Sequence, residues 1–142
     1  LQEFPRWVQQ KGLPGGTWPA EMTKRIKAIC RDRGVPEPLY LSVEGGAETI
    51  PLLRAALASG RFPSVTYYHS PTGRYNGRRI SHMVNLAHLD ENWAVVLDNN
   101  YTGEAQYEWM TPAEFLKTYT GGRAGWALVI LDGSSPPPPP WN

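Results

Sequence analysis

The sequence predicts an α+β fold in which N-terminal helices are followed by a mostly antiparallel, twisted sheet. Within residues 20–59, apolar side chains recur twice at the spacing of a helix. From residue 64 onward, short segments rich in β-branched and aromatic residues predict strands. The run 125–131 is nearly all apolar and begins with a glycine, which is typical of a buried central strand. Helices followed by strands, rather than strict alternation, favour the α+β class.

The first predicted helix spans residues 20–32. Met22, Ile26, Ile29 and Cys30 fall on one face of it, and a glycine and a proline follow its end. A short strand over 39–43 comes next. Before this helix, the sequence allows at most one short helical piece, at 5–10.

The second predicted helix spans residues 47–59 and has Ile50, Leu53 and Leu57 on its apolar stripe. A strand over 64–69 follows it. Residues 81–100 are interpreted as a hairpin, because two apolar arms flank the polar break Asp-Glu-Asn.

The rest of the domain alternates strand and helix. Residues 101–107 are predicted to form a third strand or an extended loop. Thr111 and Glu114 have the spacing of a capping box, which predicts a helix over 112–119. We expect one domain over residues 1–133 and a proline-rich, extended tail over 134–142.

Composition narrows the classes of function. Lys plus Arg total 14 and Asp plus Glu total 13, so the net charge of +1 makes nucleic acid an unlikely partner. No apolar run approaches the roughly 18 residues of a membrane span. The single cysteine excludes an internal disulfide. The sequence has no glycine pattern of the kind that binds nucleotide phosphates, so no cofactor is expected. Because the chain starts at Leu1 without a signal-peptide pattern, we expect a processed or truncated product.

The predicted hairpin suggests a site. If Leu89 faces Trp93, then His82 faces Asn100, and Asp98 lies on the same face because side chains alternate along a strand. His82 and Asp98 then become diagonal neighbours, roughly 7–8 Å apart at the backbone. An imidazole held by a carboxylate or amide is the base and orienting half of a nucleophilic triad. The alternative is a structural histidine followed by ordinary turn residues.

Two other groups of residues carry side chains that could bind a ligand or a metal: a basic loop and the histidines. The loop residues Arg74, Tyr75, Arg78 and Arg79 combine cations with an aromatic ring and could bind a phosphate backbone or an acidic peptide, although most such loops are merely solvated. No metal site is expected from His69, His82 and His88, because six residues separate His82 from His88 by roughly 20 Å along a strand.

This order of segments resembles the second half of a papain-like cysteine peptidase, nearest the bacteriocin-leader-processing branch that cleaves after double glycine. The resemblance covers roughly residues 47–131 and rests on LLRAALASGRFPSVTYY, SHMVNLAHLDENWAVVLDNN and EWMTPAEFLKTY with GWALVIL. It implies a papain-like fold, a peptide substrate, His82 as general base and Asp98 as its orienter. Asn100 is the second candidate orienter.

The sequence departs from that family at the nucleophile. There, the catalytic cysteine opens a long helix and follows a glutamine. Here, Cys30 lies near the end of its predicted helix, where the helix dipole disfavours a thiolate, so it is a poor candidate. We expect the nucleophile to lie upstream of Leu1 and the isolated chain to be inactive. The alternative is a non-catalytic binding or structural subunit, whose basic loop and tail from Pro136 to Trp141 contact a protein partner.

Overall fold

The structure, a computed structural model, describes residues 18–131. The helical piece predicted at 5–10 and the predicted tail over 134–142 lie outside these residues. The chain divides into two compact units, Leu1–Glu37 and Pro38–Asn142. No helix within the described residues is long and apolar enough to cross a membrane.

Among its described residues, the first unit has the helix α1 (Pro19–Arg33), which confirms the prediction to within one residue at each end. A proline opens it, where the missing N–H costs no hydrogen bond. Gly34 ends it in the left-handed conformation, at φ 63°, and donates its N–H to the carbonyl of Arg31. Cys30 is buried in the last turn of α1.

The second unit is built on one six-stranded sheet in which every neighbouring pair is antiparallel. Together with the helices, this confirms the predicted α+β class. The order across the sheet is β1-β6-β2-β3-β4-β5, so the apolar strand β6 is internal, as its composition predicts. The strands are β1 (Tyr40–Gly45), β2 (Ser64–Tyr67), β3 (His82–Leu89), β4 (Ala94–Leu97), β5 (Tyr107–Met110) and β6 (Gly125–Ile130).

Two helices cover one face of this sheet: α2 (Ile50–Ala58), preceded by a 3-10 turn, and α3 (Pro112–Thr120). Leu53 from α2 and Phe115 and Tyr119 from α3 are fully buried in the same cluster as the inward side chains of β2, β3, β4 and β6. Burying such side chains is the main source of stability, at about 1.5–3 kcal/mol each. The predicted capping box is confirmed in both of its hydrogen bonds.

The hairpin of β3 and β4 has one irregularity. Leu89 pairs with Ala94, so the expected pairing of Leu89 with Trp93 is wrong by one residue. A β-bulge between Leu86 and His88 takes up that extra residue, and Asn85 pairs with Leu97 beyond it. The register that the sequence analysis assumed therefore holds at the end of the hairpin where Asp98 follows β4.

The segment after the hairpin also differs from expectation. A 3-10 turn at Gly103–Gln106 interrupts the strand or extended loop predicted over 101–107. The strand β5 begins only at Tyr107 and alternates exposed and buried residues. This alternation turns Glu108 toward the interior, which matters for the site below.

Candidate functional site

The site lies at the end of the sheet where β3 begins and β4 ends. His82 is the first residue of β3 and pairs with Tyr67, the last residue of β2. Asp98 directly follows β4, and its N–H donates to the carbonyl of Gln106 at 2.8 Å. This backbone bond holds Asp98 in place after the ladder between β3 and β4 has ended.

The sequence-predicted pair meets. Nε2 of His82 lies 2.9 Å from Oδ1 of Asp98. The side chain of Asp98 is 0% exposed, whereas that of His82 is 19% exposed. The imidazole is thus anchored from the interior and retains access from outside.

The Asp98 carboxylate accepts two further hydrogen bonds. The hydroxyl of Tyr75 donates to Oδ2, and the backbone N–H of Asn100 donates to Oδ1 at 3.0 Å. Burial raises the pKa of Asp98, but the hydrogen bonds from Tyr75, Asn100 and His82 outweigh it and bring the pKa below its ordinary value. Asp98 is therefore a carboxylate at neutral pH.

An ionised carboxylate can only accept, and this fixes the tautomer of His82. In the neutral ring, the proton must lie on Nε2 to donate to Asp98, which leaves the lone pair on Nδ1. The Asn100 side-chain nitrogen, 3.3 Å from Nε2, is also a donor and therefore cannot bond to it. That nitrogen donates to the Tyr75 hydroxyl at 3.2 Å instead.

Within the described residues, Nδ1 of His82 makes no hydrogen bond of its own. Its lone pair is therefore the proton acceptor that the site offers. Of the two candidate orienters, Asp98 holds the ring directly. Asn100 acts on the carboxylate through its backbone N–H and on Tyr75 through its side chain.

Tyrosine rings enclose the imidazole. The rings of Tyr67 and Tyr75 lie edge-on to His82, with centroids 6.1 and 6.2 Å away. Tyr101 packs edge-on against Tyr75 at 5.8 Å. Burial, and then the hydrogen bond to Asp98, raise the pKa of Tyr75 to about 12, so its hydroxyl stays protonated and donates.

Tyr75 reaches Asp98 from an unusual backbone conformation. Tyr75 and Asn76 have φ angles of 58° and 56°, in the left-handed region that side chains with a Cβ seldom adopt. Such residues cost on the order of 1–3 kcal/mol each and persist where the surroundings fix them. The bond from Tyr75 to Asp98 and the ring contacts provide that fixation.

A second buried carboxylate, Glu108, anchors the same loop, and the sequence analysis did not identify it. It is 2% exposed and accepts hydrogen bonds from the hydroxyls of Tyr67, Ser70 and Thr72. The guanidinium Nε of Arg74 lies 3.6 Å from Oε2 of Glu108. The sequence could have indicated this buried carboxylate, because Glu108 lies two residues before Met110 and so on the same face of β5. That inference requires the bounds of β5 to be predicted correctly.

The predicted binding loop is largely engaged with its own chain. Arg74 donates to the carbonyls of Ala105 and Tyr107 and lies 4.2 Å over the Tyr101 ring. Arg79 donates to the Gly121 carbonyl and lies over Tyr68. Arg78 is exposed. The loop residues Arg74 and Tyr75 thus belong to the His82 site, and binding by this loop stays a prediction.

Cys30, the one thiol of the chain, belongs to the first compact unit. It lies in the last turn of α1 and is 8% exposed. His88, at the far end of β3, pairs with Asp90 at 2.7 Å on the surface. Within the described residues, no group of three or more His, Cys, Asp and Glu is arranged to hold a metal ion.

Comparisons with protein-family models, with curated proteins and with solved structures gave no significant match to this chain.

Proposed function

We propose that His82 is the general base of a thiol-dependent peptide or amide hydrolase centre and that Asp98 orients it. The observation that carries the proposal is the 2.9 Å contact between Nε2 of His82 and the buried Asp98 carboxylate. This contact directs the basic lone pair of Nδ1 away from the carboxylate, toward a reacting group. The papain-like fold suggested by the sequence resemblance is part of the same proposal.

The base needs a nucleophile. The single cysteine of the chain, Cys30, is buried in the last turn of α1, where its thiol is shielded from solvent. Ser70 shares the network, but its hydroxyl donates to Glu108 and accepts from the N–H groups of Thr72 and Arg74. A hydroxyl engaged in this way has no proton left to give to an imidazole. The proposal therefore assigns the attacking thiol to a cysteine outside the 142 residues.

In this mechanism, Nδ1 of His82 takes the proton of the attacking thiol, and the sulfur adds to the carbonyl carbon of the substrate. The imidazolium then gives its proton to the leaving amine as the C–N bond breaks, and the acyl group stays on the sulfur as a thioester. Water hydrolyses this thioester, with His82 again taking and returning the proton, and frees the thiol. Asp98 stabilises the imidazolium and keeps its own charge throughout. The proposed substrate class is a peptide chain.

The test assays the 142-residue chain beside a longer product of the same gene that includes residues encoded before Leu1. A broad peptide library and a thiol-directed probe serve as substrates, and His82→Ala in the longer form is the matched variant. We expect no cleavage by the short form. We expect cleavage and rapid labelling by the longer form, with both lost in His82→Ala by a factor of about 10³ or more.

Cleavage by the short form would contradict the assignment of the nucleophile. Silence from both forms would contradict the hydrolase itself and favour the second candidate, a non-catalytic binding or structural subunit. The observation that favours this second candidate is the burial of the single cysteine, Cys30, in the last turn of α1, where its thiol is shielded from solvent.

A further inference from the structure

An exposed aromatic surface lies on the face of the sheet opposite α2 and α3. We call Trp93, Trp109 and Tyr107 the aromatic strip. They are 48%, 58% and 46% exposed. Trp109 and Tyr107 point outward from β5, whose alternate residues Glu108 and Met110 are buried. The Trp93 and Trp109 rings meet edge-on, with centroids 6.0 Å apart. Exposed aromatic clusters of this kind mark binding surfaces.

The strip lies at the end of the sheet where β6 finishes. One row of paired residues crosses the sheet from β6 to β5. Its members are Leu128, Ser64, Asn85, Leu97 and Tyr107. From this row, β6 runs on to Ile130 in the same direction in which β5 runs on to Trp109. Leu131, the last described residue, is therefore at nearly the same level as the two tryptophans.

The residues that follow Leu131 have the composition to bind such a surface. They are Asp-Gly-Ser-Ser, then five consecutive prolines and a tryptophan. Consecutive prolines favour the extended polyproline II helix, which docks into grooves lined by aromatic rings at little entropic cost. The same chain thus has an exposed aromatic strip and, in its sequence, a run of prolines of the kind that packs on aromatic rings.

The distances allow the two to meet. Three strand spacings separate β6 from β4, and four separate it from β5, or roughly 14 and 19 Å at about 4.8 Å each. The five steps from Leu131 to Pro136 span up to about 17 Å, and five prolines add about 15 Å. The proline segment can therefore lie across both tryptophans without any part of the sheet moving.

We propose that the segment from Pro136 to Pro140 docks on the aromatic strip of its own chain. Trp93 and Trp109 supply the ring faces against which the prolines pack. A short tether gives an effective concentration on the order of millimolar, so the tail of the same chain outcompetes a second copy at micromolar protein. The docked tail covers the aromatic strip on and beside the edge strand β5.

The experiment uses the full 142-residue chain, labelled with ¹⁵N, and follows the indole N–H signals of Trp93 and Trp109. In the test variant, all five prolines from Pro136 to Pro140 become serine. The matched control, Ser134→Ala with Ser135→Ala, keeps the prolines. The Trp126 indole, bonded to Ser42 at 2.9 Å, reports that the fold is intact. We expect the test variant to shift both indole signals and lose proline-to-tryptophan contacts, at every protein concentration.

A second measurement adds the synthetic peptide decaproline. The intact chain should bind it roughly tenfold more weakly than the proline-free variant, because the tethered tail competes with the peptide for the strip. Equal binding by the two chains, or unchanged indole signals in the variant, would overturn the proposal. If unlabelled intact protein restored the signals of the labelled variant, the tail of a second copy would be the occupant, which also overturns docking within one chain.

Discussion

The hydroxyl of Tyr75 controls how firmly Asp98 stays ionised next to His82. Like the imidazole of His82, this hydroxyl donates a hydrogen bond to the Asp98 carboxylate. It reaches Oδ2 from a residue whose backbone is in the left-handed conformation. Burial alone would raise the pKa of Asp98 and weaken its hold on the imidazole as the pH falls. At the scale of single residues, the site therefore depends on a tyrosine as much as on the predicted pair.

Replacing Tyr75 should expose this dependence. In Tyr75→Phe the ring contacts remain, but Asp98 loses a hydrogen bond that lowers its pKa. We expect the pKa of Asp98 to rise and the free energy of unfolding to fall by about 1.5–3 kcal/mol, the usual value of a hydrogen bond to a charged group. Carboxyl NMR titration and chemical denaturation measure the two effects.

The control is Tyr101→Phe, because the Tyr101 hydroxyl makes no hydrogen bond to a described residue. It should leave both quantities nearly unchanged. An unchanged Asp98 pKa in Tyr75→Phe would mean that the tyrosine is only a packing residue.

At the scale of elements, β5 supports the loop that carries Tyr75. Glu108 collects three hydroxyl donors and Arg74, and all four partners lie in β2 or the loop that follows it. Tyr67 links Glu108 to the catalytic histidine proposed above, since its hydroxyl donates to Glu108 and its ring contacts His82. Burial, and next the bond to Glu108, hold the pKa of Tyr67 well above its ordinary value, so it remains a donor.

Removing Glu108 should therefore loosen the loop. In Glu108→Ala, the Arg74 guanidinium and three hydroxyls lose their acceptor in the interior. Breaking a buried ion pair in this way costs about 3–5 kcal/mol. The matched control is Glu104→Ala, an exposed glutamate in the neighbouring 3-10 turn, whose effect should stay within about 0.5 kcal/mol. Similar unfolding free energies for the two variants would refute the anchoring role.

The features that follow from the local spacing of apolar residues could be predicted from the sequence. The features that depend on contacts between residues far apart in the chain could not. Helical spacing located α1 to within one residue, and strand alternation put His82 and Asp98 on one face. The bulge at Ala87 was not predicted, because nothing local distinguishes it from regular strand. Glu108 was missed because its partners lie 36 to 41 residues away along the chain.

At the scale of the whole molecule, Asp98 makes stability depend on pH. Its pKa in the fold is lower than in the unfolded chain, so the unfolded state binds more protons as the pH falls. The contribution of Asp98 is complete above the unfolded value, near pH 4, and is lost as the pH falls through the folded value.

We therefore expect the free energy of unfolding of Asp98→Asn to fall less steeply below about pH 4 than that of the unchanged chain. Denaturant titrations between about pH 2 and pH 7 measure the slope. Glu91→Gln, at an exposed position of the hairpin loop, is the control and should keep the original slope. Parallel curves for Asp98→Asn and the unchanged chain would contradict the lowered pKa of Asp98.

The ¹⁵N chemical shifts of the His82 ring test the central claim most directly, because they show which nitrogen of the neutral imidazole carries the proton. We expect a protonated Nε2, bonded to Asp98, and a free lone pair on Nδ1. In Asp98→Ala, the ring should lose this preference and show a mixture of both tautomers. A proton found on Nδ1 in the unchanged chain would leave no basic nitrogen facing outward, and would contradict His82 as the general base.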